Sequence, residues 1–201
     1  MITFIRSPGM YRQVNLVVKV GYMGIPLSNS DAMSREFCHD NGIGDAEFVP
    51  LVSAKDTVDA LLKGEIDYSV LAVENRFAGT VIETRDALKG HDGIVEVDTK
   101  WTHIHHCVFK KSPDCQVKKL VSHIQALLQS QNNLKRIYPD AEFVECEDTA
   151  YAAEMLADGT LSDDCAAVCR RDAGEFYNLF LDSENVEDNK ENMTRFLFVR
   201  L

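Results

Sequence analysis

The chain has 201 residues, 45% of them hydrophobic, and sets 32 aspartates and glutamates against 21 lysines and arginines, for a formal net charge of −11. That length and apolar share give one domain or two small ones, with a core that needs no metal or disulfide staple. The acidic balance excludes nonspecific nucleic-acid binding and disfavours an anionic membrane surface, so the expected partner is a small molecule; an anionic one would have to be met by helix N-termini and a few arginines.

From the N-terminus, the opening MITFIRSPGMYRQVNLVVKV has Arg6 and Arg12 but no unbroken apolar stretch, so no secretory signal is expected. Six cysteines without a CxxC pair then read as reduced thiols in a cytoplasmic protein. VNLVVKVGYMG, 14–24, predicts a strand ending in glycine. A helix follows from Ser28 or Ser30 as N-cap to Gly42. EFVPLVS, 47–53, is strand-like, and 54–65 spaces Val58, Leu61 and Leu62 on one helical face. DYSVLAVEN, 67–75, is the near-continuous apolar run of a strand buried on both faces, and 80–90 is a short helix.

Residues 93–111 read as extended chain, and 117–123 as a strand or a helix edge. One helix is predicted over 123–139, with Ser122 as its N-cap and Pro139 as its end. A strand at 141–148 leads to a helix at 149–159, capped by Thr149 or Asp148 and stopped by Gly159. Residues 165–178 pass from a short strand into a helix, 182–192 form an acidic loop, and RFLFVRL closes the chain as a strand. Alternating strands and helices with a change of style near residue 100 predict an α/β fold of two lobes. Each lobe is a mixed, mostly parallel sheet flanked by helices, with the site in the cleft between them. The division expected is 17–100 with 190–201 for the first lobe and 101–189 for the second.

Three stretches carry chemistry. The loop after the buried strand holds Glu74, Asn75, Arg76 and Gly79, and Asn75 and Gly79 are ordinary turn residues. Ser122, His123 and Gln125 open a helix and read equally as a simple cap with exposed first-turn residues. Where the last strand begins stand Asn192, Thr194, Arg195 and Phe196, and Arg195 alone could be one weak surface pair.

In order and spacing these stretches resemble the catalytic domain of the prephenate dehydratase family. The family's Glu-Asn-Ser loop appears as Glu74-Asn75-Arg76, with Gly79 and Val81 following. Its Ser-His-Pro-Gln-Ala-Leu helix start appears as Ser122-His123-Ile124-Gln125-Ala126-Leu127. Its Thr-Ala-x-Ala-Ala helix starts at Thr149-Ala150 with Ala152-Ala153, and its terminal Asn-x-Thr-Arg-Phe is Asn192 to Phe196. The likeness runs from about Val18 to Leu201. The sequence departs at Arg76 and Ile124, and at Leu27, where the family's opening turn has a glycine. A leucine there restricts φ and is expected to crowd the ligand side of the turn.

The resemblance implies a periplasmic-binding-protein-like fold and an enzyme, a carbon–oxygen lyase that converts prephenate to phenylpyruvate with loss of water and carbon dioxide, in phenylalanine biosynthesis. It implies no cofactor and no metal, and a homodimer. Thr194 would meet the departing hydroxyl. Arg195, with helix ends at Ser28, Ser30, Ser122 and Thr149, would hold the carboxylates. Glu74, Asn75, Gln125 and Asn192 would orient the ring, Phe196 would form the pocket floor, and Arg76 would stand either in solvent or as an extra cation at the cleft mouth. Family members commonly continue into an ACT domain that binds phenylalanine, and none is expected here. Arogenate, with an amino group for the keto group, is an alternative substrate. A non-aromatising prephenate decarboxylase is an alternative enzyme, and a non-catalytic small-anion sensor an alternative of another class. THIHHC, 102–107, has the composition of a metal site, but alternation along a strand splits its side chains between two faces, so no metal is expected.

Overall fold

The computed structural model describes residues 17–201, so the reading of the first sixteen residues lies outside the described residues. The chain runs β1 (Val18–Tyr22), α1 (Asn29–Asp40), β2 (Ala46–Pro50), α2 (Ala54–Leu62), β3 (Tyr68–Asn75), β4 (Gly79–Thr80), α3 (Ile82–Leu88) and β5 (Val95–His103). It continues through β6 (Cys107–Lys110), β7 (Lys119–Ser122), α4 (Ile124–Gln129), α5 (Gln131–Ile137), β8 (Glu142–Glu145), α6 (Thr149–Asp158), β9 (Cys165–Cys169), α7 (Arg171–Phe176), β10 (Phe180–Ser183) and β11 (Met193–Arg200).

Two sheets result. The first has the order β2-β1-β3-β11-β5, with β4 paired to β3, and the second the order β10-β6-β9-β7-β8. Both are mixed. β1 runs parallel to β2 and β3, and β7 parallel to β8 and β9. β11 is antiparallel to both of its neighbours, and β6 to both of its own. The terminal strand is therefore internal, between β3 and β5, which is why its apolar residues Phe196, Phe198 and Val199 are buried.

Each sheet carries core on both faces. On one face of the first, Phe198 stacks between Phe37 of α1 and Tyr68, at ring centroid distances of 5.2 and 4.8 Å. On the other, α2 buries Val58 and Leu61 with Leu71 and Val199. The second sheet is covered by α6 and α7 on one side, where Phe109 lies under Ala152, Leu156 and Ala173, and by Leu127 and Leu134 of α4 and α5 on the other.

The chain passes between the sheets twice, and the crossings lie side by side. Ile104 N–H donates to Asn192 O at 2.8 Å, and Val186 N–H to His106 O at 2.9 Å. The extended stretch over 93–111 breaks here, because residues 104–106 leave one sheet for the other. The helix expected over 123–139 is two helices. Asp188, arriving on the second crossing, accepts Asn132 N–H and Asn133 N–H at 2.9 and 2.8 Å, and so caps a new helix start after Ser130. The loop expected over 182–192 begins later than expected, since β10 extends to Ser183.

Leu27 has φ 68°, a left-handed conformation that costs a leucine roughly 1–2 kcal/mol. With Ile25 it packs against the apolar cluster of the second sheet around Phe109 and Ala150. It therefore joins the two sheets and is absent from the cleft lining, contrary to the expectation that it would crowd the ligand.

Candidate active site

Between the sheets opens a cleft of about 630 Å³. The first sheet contributes Thr194 and Phe196 of β11, Asn75 at the end of β3, the β1–α1 turn with Gly24 and Ser28, and Ser30 in the first turn of α1. The second contributes His123, Gln125 and Gln129 around α4, and Glu147, Asp148 and Thr149 at the start of α6. Gly24 is required where it stands: its φ is 106°, and a Cβ would lie 3.0 Å from Ser28 Oγ.

The N-termini of α1 and α6 both reach the cleft. Ser28 caps α1 by accepting Asp31 N–H at 3.3 Å, and Asp148 caps α6 by accepting Ala150 N–H at 2.7 Å. The first residues of both helices thus turn backbone N–H groups and the positive end of the helix dipole toward the cavity.

Behind Thr194 runs a chain of carboxamides whose polarity can be read from one end. Asn75 Oδ1 accepts Phe77 N–H and Ala78 N–H, each at 3.0 Å, and backbone N–H groups only donate. Asn75 Nδ2 is therefore the group that donates to Asn192 Oδ1 and to Thr194 Oγ1, both at 3.0 Å. Asn192 Nδ2 then donates to Gln129 Oε1 at 2.9 Å. Because Thr194 Oγ1 accepts here and donates to no protein group among the described residues, its proton is free for a ligand in the cleft. Two backbone amides in the β3–β4 turn thus fix Asn75 as a donor to a hydroxyl on β11.

Of the residues expected at the site, Thr194, Phe196, Asn75, Ser28, Ser30, Gln125 and Thr149 line the cleft, and Asn192 stands just behind it, buried in the carboxamide chain. Four do not. Ser122 is the last residue of β7, and its hydroxyl donates to Val168 O inside the second sheet. The cap of α4 is His123, whose Nδ1 accepts Gln125 N–H at 3.2 Å. Arg195 alternates with Thr194 and Phe196 along β11, so it points to the opposite face of the sheet. There it pairs with Glu74 at 3.1 Å beside a second cavity lined by Arg85 and Lys89. Glu74 is carried away from the cleft by the same alternation. Arg76 is half-exposed and bridges to Glu191 at 3.1 Å, outside the cleft lining.

His106, Gln129, Glu147 and Asp148 line the cleft and were not singled out as site residues from the sequence; His123, noted as a first-turn residue but given no site role, lines it as well. A further signal existed for Gln129. Gln125 and Gln129 are four residues apart on α4, which places both on one face. Among the described residues no lysine or arginine lines the cleft, whereas Glu83, Glu147 and Asp148 do. The Glu83 carboxylate is occupied, accepting Ala54 N–H at 2.7 Å. Burial raises the Asp148 carboxyl above its ordinary range, against the opposing pull of Ala150 N–H and His123. In the THIHHC stretch the rings of His103 and His105 stack at 5.8 Å and His106 is buried, and among the described residues no group of side chains is arranged to hold a metal ion.

A family model described as prephenate dehydratase matches residues 20–201. Arogenate dehydratase 5, chloroplastic, of Arabidopsis thaliana is 30% identical over 189 residues, covering 90% of this chain and 42% of that protein. Prephenate dehydratase of Bacillus subtilis (strain 168) is 27% identical over 192 residues, covering 90% and 64%. Among solved structures, the prephenate dehydratase of Arthrobacter aurescens in complex with L-Phe superposes with a TM-score of 0.80 at 22% identity, covering 91% of this chain and 60% of that one, a likeness of fold. The chain spans less than two thirds of the length of each of these relatives.

Proposed function

The chain belongs to the prephenate dehydratase family, and from that membership we propose that it is a carbon–oxygen lyase that dehydrates and decarboxylates a cyclohexadienyl acid of the prephenate class. In this reaction the ring C–OH bond breaks and the hydroxyl takes up a proton to leave as water. The electron pair of the bond to the ring carboxylate moves into the ring, and that carboxylate leaves as carbon dioxide. One proton consumed balances the dianion against phenylpyruvate, water and carbon dioxide. Aromatisation drives the step, so the protein has to orient the substrate and assist the leaving hydroxyl.

The observation that carries this reading is Thr194, a cleft-lining hydroxyl whose oxygen accepts from Asn75 and whose proton is taken by no protein group among the described residues, so that it is free to donate to a ligand. It would hydrogen-bond the departing hydroxyl more strongly as negative charge develops there. Phe196 supplies the apolar floor for the ring, and the N-termini of α1 and α6 would take the carboxylates. Gln125 and Gln129 are the neutral donors of the opposite wall.

A second reading of the substrate is favoured by the charges of the cleft. With Glu147 and Asp148 lining it and, among the described residues, no lysine or arginine in the lining, although Arg170 donates to the cleft residue Asn29 from behind at 2.7 Å, the site suits a side chain bearing an ammonium, as in arogenate, better than the keto group of prephenate. Incubation with each compound tests both readings. Phenylpyruvate from prephenate, read by its absorbance in base, or phenylalanine from arogenate, read by chromatography, supports a dehydratase, and the ratio of kcat/KM values ranks the substrates. Carbon dioxide without an aromatic product would replace it with a decarboxylase, and tight binding without turnover with a sensor. A cytoplasmic homodimer belongs to the same reading, the dimer from the family resemblance and the location from six cysteines without a CxxC pair; fractionation of the source cells tests the location, and sedimentation at micromolar concentration tests the dimer. Among the described residues no helix is long and apolar enough to cross a membrane.

A further inference from the structure

His106 lies on the first crossing between the sheets, lines the cleft and is 2% exposed. Its backbone is held on both sides, with His106 N–H donating to Glu187 Oε2 at 3.0 Å and His106 O accepting Val186 N–H at 2.9 Å. The imidazole is placed by these bonds, and its Nε2 meets Gln129 Oε1 at 3.1 Å. Its Nδ1 is buried without a protein partner among the described residues.

The direction of the Nε2 contact follows from the carboxamide chain. Starting at Phe77 and Ala78, each amide is forced in turn, so that Gln129 presents its oxygen to Asn192 Nδ2 at 2.9 Å. Turning the Gln129 amide over would set its NH2 against the NH2 of Asn192, two donors facing each other. The oxygen therefore stays, and the ring nitrogen facing it must be a donor. We infer that His106 is a positioning residue: as the neutral Nε2–H tautomer it fills the second lone pair of Gln129 Oε1, locks that amide and keeps its N–H pair available to the cleft. Asn192 and His106 together leave the glutamine oxygen no free acceptor site, so a substrate meets Gln129 only as a donor. Burial lowers the pKa of His106 and agrees with a ring that stays neutral. Around it the Gln129 hydrogen bond and Glu187 act in the opposite sense, while His105 and Arg170 reinforce the lowering.

The structural part of this inference stands apart from the reaction, and the kinetic part rests on the dehydratase reading, so each has its own test. In the full chain, 15N NMR of the histidine rings should show a pyrrole-like Nε2 and a pyridine-like Nδ1 for His106, unchanged as pH falls through the ordinary histidine range. The opposite tautomer, or an imidazolium forming in that range, overturns the inference whether or not the chain turns over prephenate or arogenate. For kinetics, His106→Leu should lower kcat on the order of tenfold, the worth of one neutral hydrogen bond acting through Gln129. His106→Gln, which can place an amide donor near the lost Nε2–H, should restore most of that loss. In the Gln129→Leu background, His106→Leu should cost little more. Losses that multiply fully in the double variant, or a Gln variant as impaired as the Leu variant with the same melting temperature, would show that His106 does not act through Gln129.

Discussion

Replacing Asn75 by aspartate changes one NH2 into an oxygen and little else in shape. In the wild type that NH2 donates to Asn192 Oδ1 and Thr194 Oγ1, each at 3.0 Å. Aspartate keeps one oxygen for Phe77 N–H and Ala78 N–H. Its second oxygen then faces the acceptor of Asn192, a side chain that is 3% exposed. Leaving that acceptor unpaired costs about 1–3 kcal/mol of stability. Thr194 responds differently, because its hydroxyl can turn and donate to the new carboxylate. It is then aimed backward, and the cleft loses a preorganised donor, a loss of roughly 10²–10³ in kcat. Protonation reverses part of the damage, since the introduced side chain in its neutral form carries an O–H that can donate to one of the two oxygens again. A carboxyl facing two acceptors in a buried site favours its neutral form. Activity of Asn75→Asp, relative to wild type, should therefore rise as pH falls. The assay is kcat against pH on the preferred substrate, with circular dichroism and a melting curve to establish folding. Wild-type kcat at neutral pH in a folded Asn75→Asp protein would refute the polarity assigned to the carboxamide chain.

Three further outcomes follow from the same geometry. Asp148→Asn keeps the cap on Ala150 N–H but removes a partly buried charge. The folded-state pKa of Asp148 is raised above 3.8, so the folded form binds the proton more tightly and stability falls as pH rises through that window. The asparagine variant should accordingly melt higher than wild type at neutral pH, and the gap should close as pH drops toward 3.8. Gly174→Ala drives a Cβ to 2.4 Å from the Phe109 ring, and should cost about 1–3 kcal/mol in denaturant unfolding. Arg195→Gln, on the face of β11 away from the cleft, should leave KM within about threefold of wild type, since the half-exposed pair with Glu74 is screened by solvent.

Much of the fold could be read because the deciding information is local. The run YSVLAV in β3 is apolar but for Ser69 because the strand is covered on both faces, and Gly159 ends α6 with φ 89° in the left-handed conformation its position requires. What was misread depends on distant partners or on a rule not applied. The break after Ser130 is set by Asp188, a residue supplied from the other crossing, and nothing in QALLQSQNNLKRI marks it. Ser122 precedes a helix as a cap would, but pairing with Glu145 in the sheet keeps it a strand residue and hands the cap to His123. Arg195 was legible in principle. A strand alternates its side chains, so a hydroxyl at 194 and a phenyl at 196 facing one cleft exclude the guanidinium between them. His106 and Gln129 meet only through the fold, and of the two only the glutamine, one helical turn beyond Gln125, left a trace in the sequence.

The whole reading turns on one hydroxyl pointing into the cleft. The most direct measurement is the turnover of Thr194→Val, a substitution that conserves side-chain shape and strand preference while removing the O–H. A folded variant with the wild-type melting temperature within a few degrees and kcat lowered by about 10²-fold or more is the expected result. Undiminished turnover in that protein would contradict it, and would move the chemistry to another wall of the cavity.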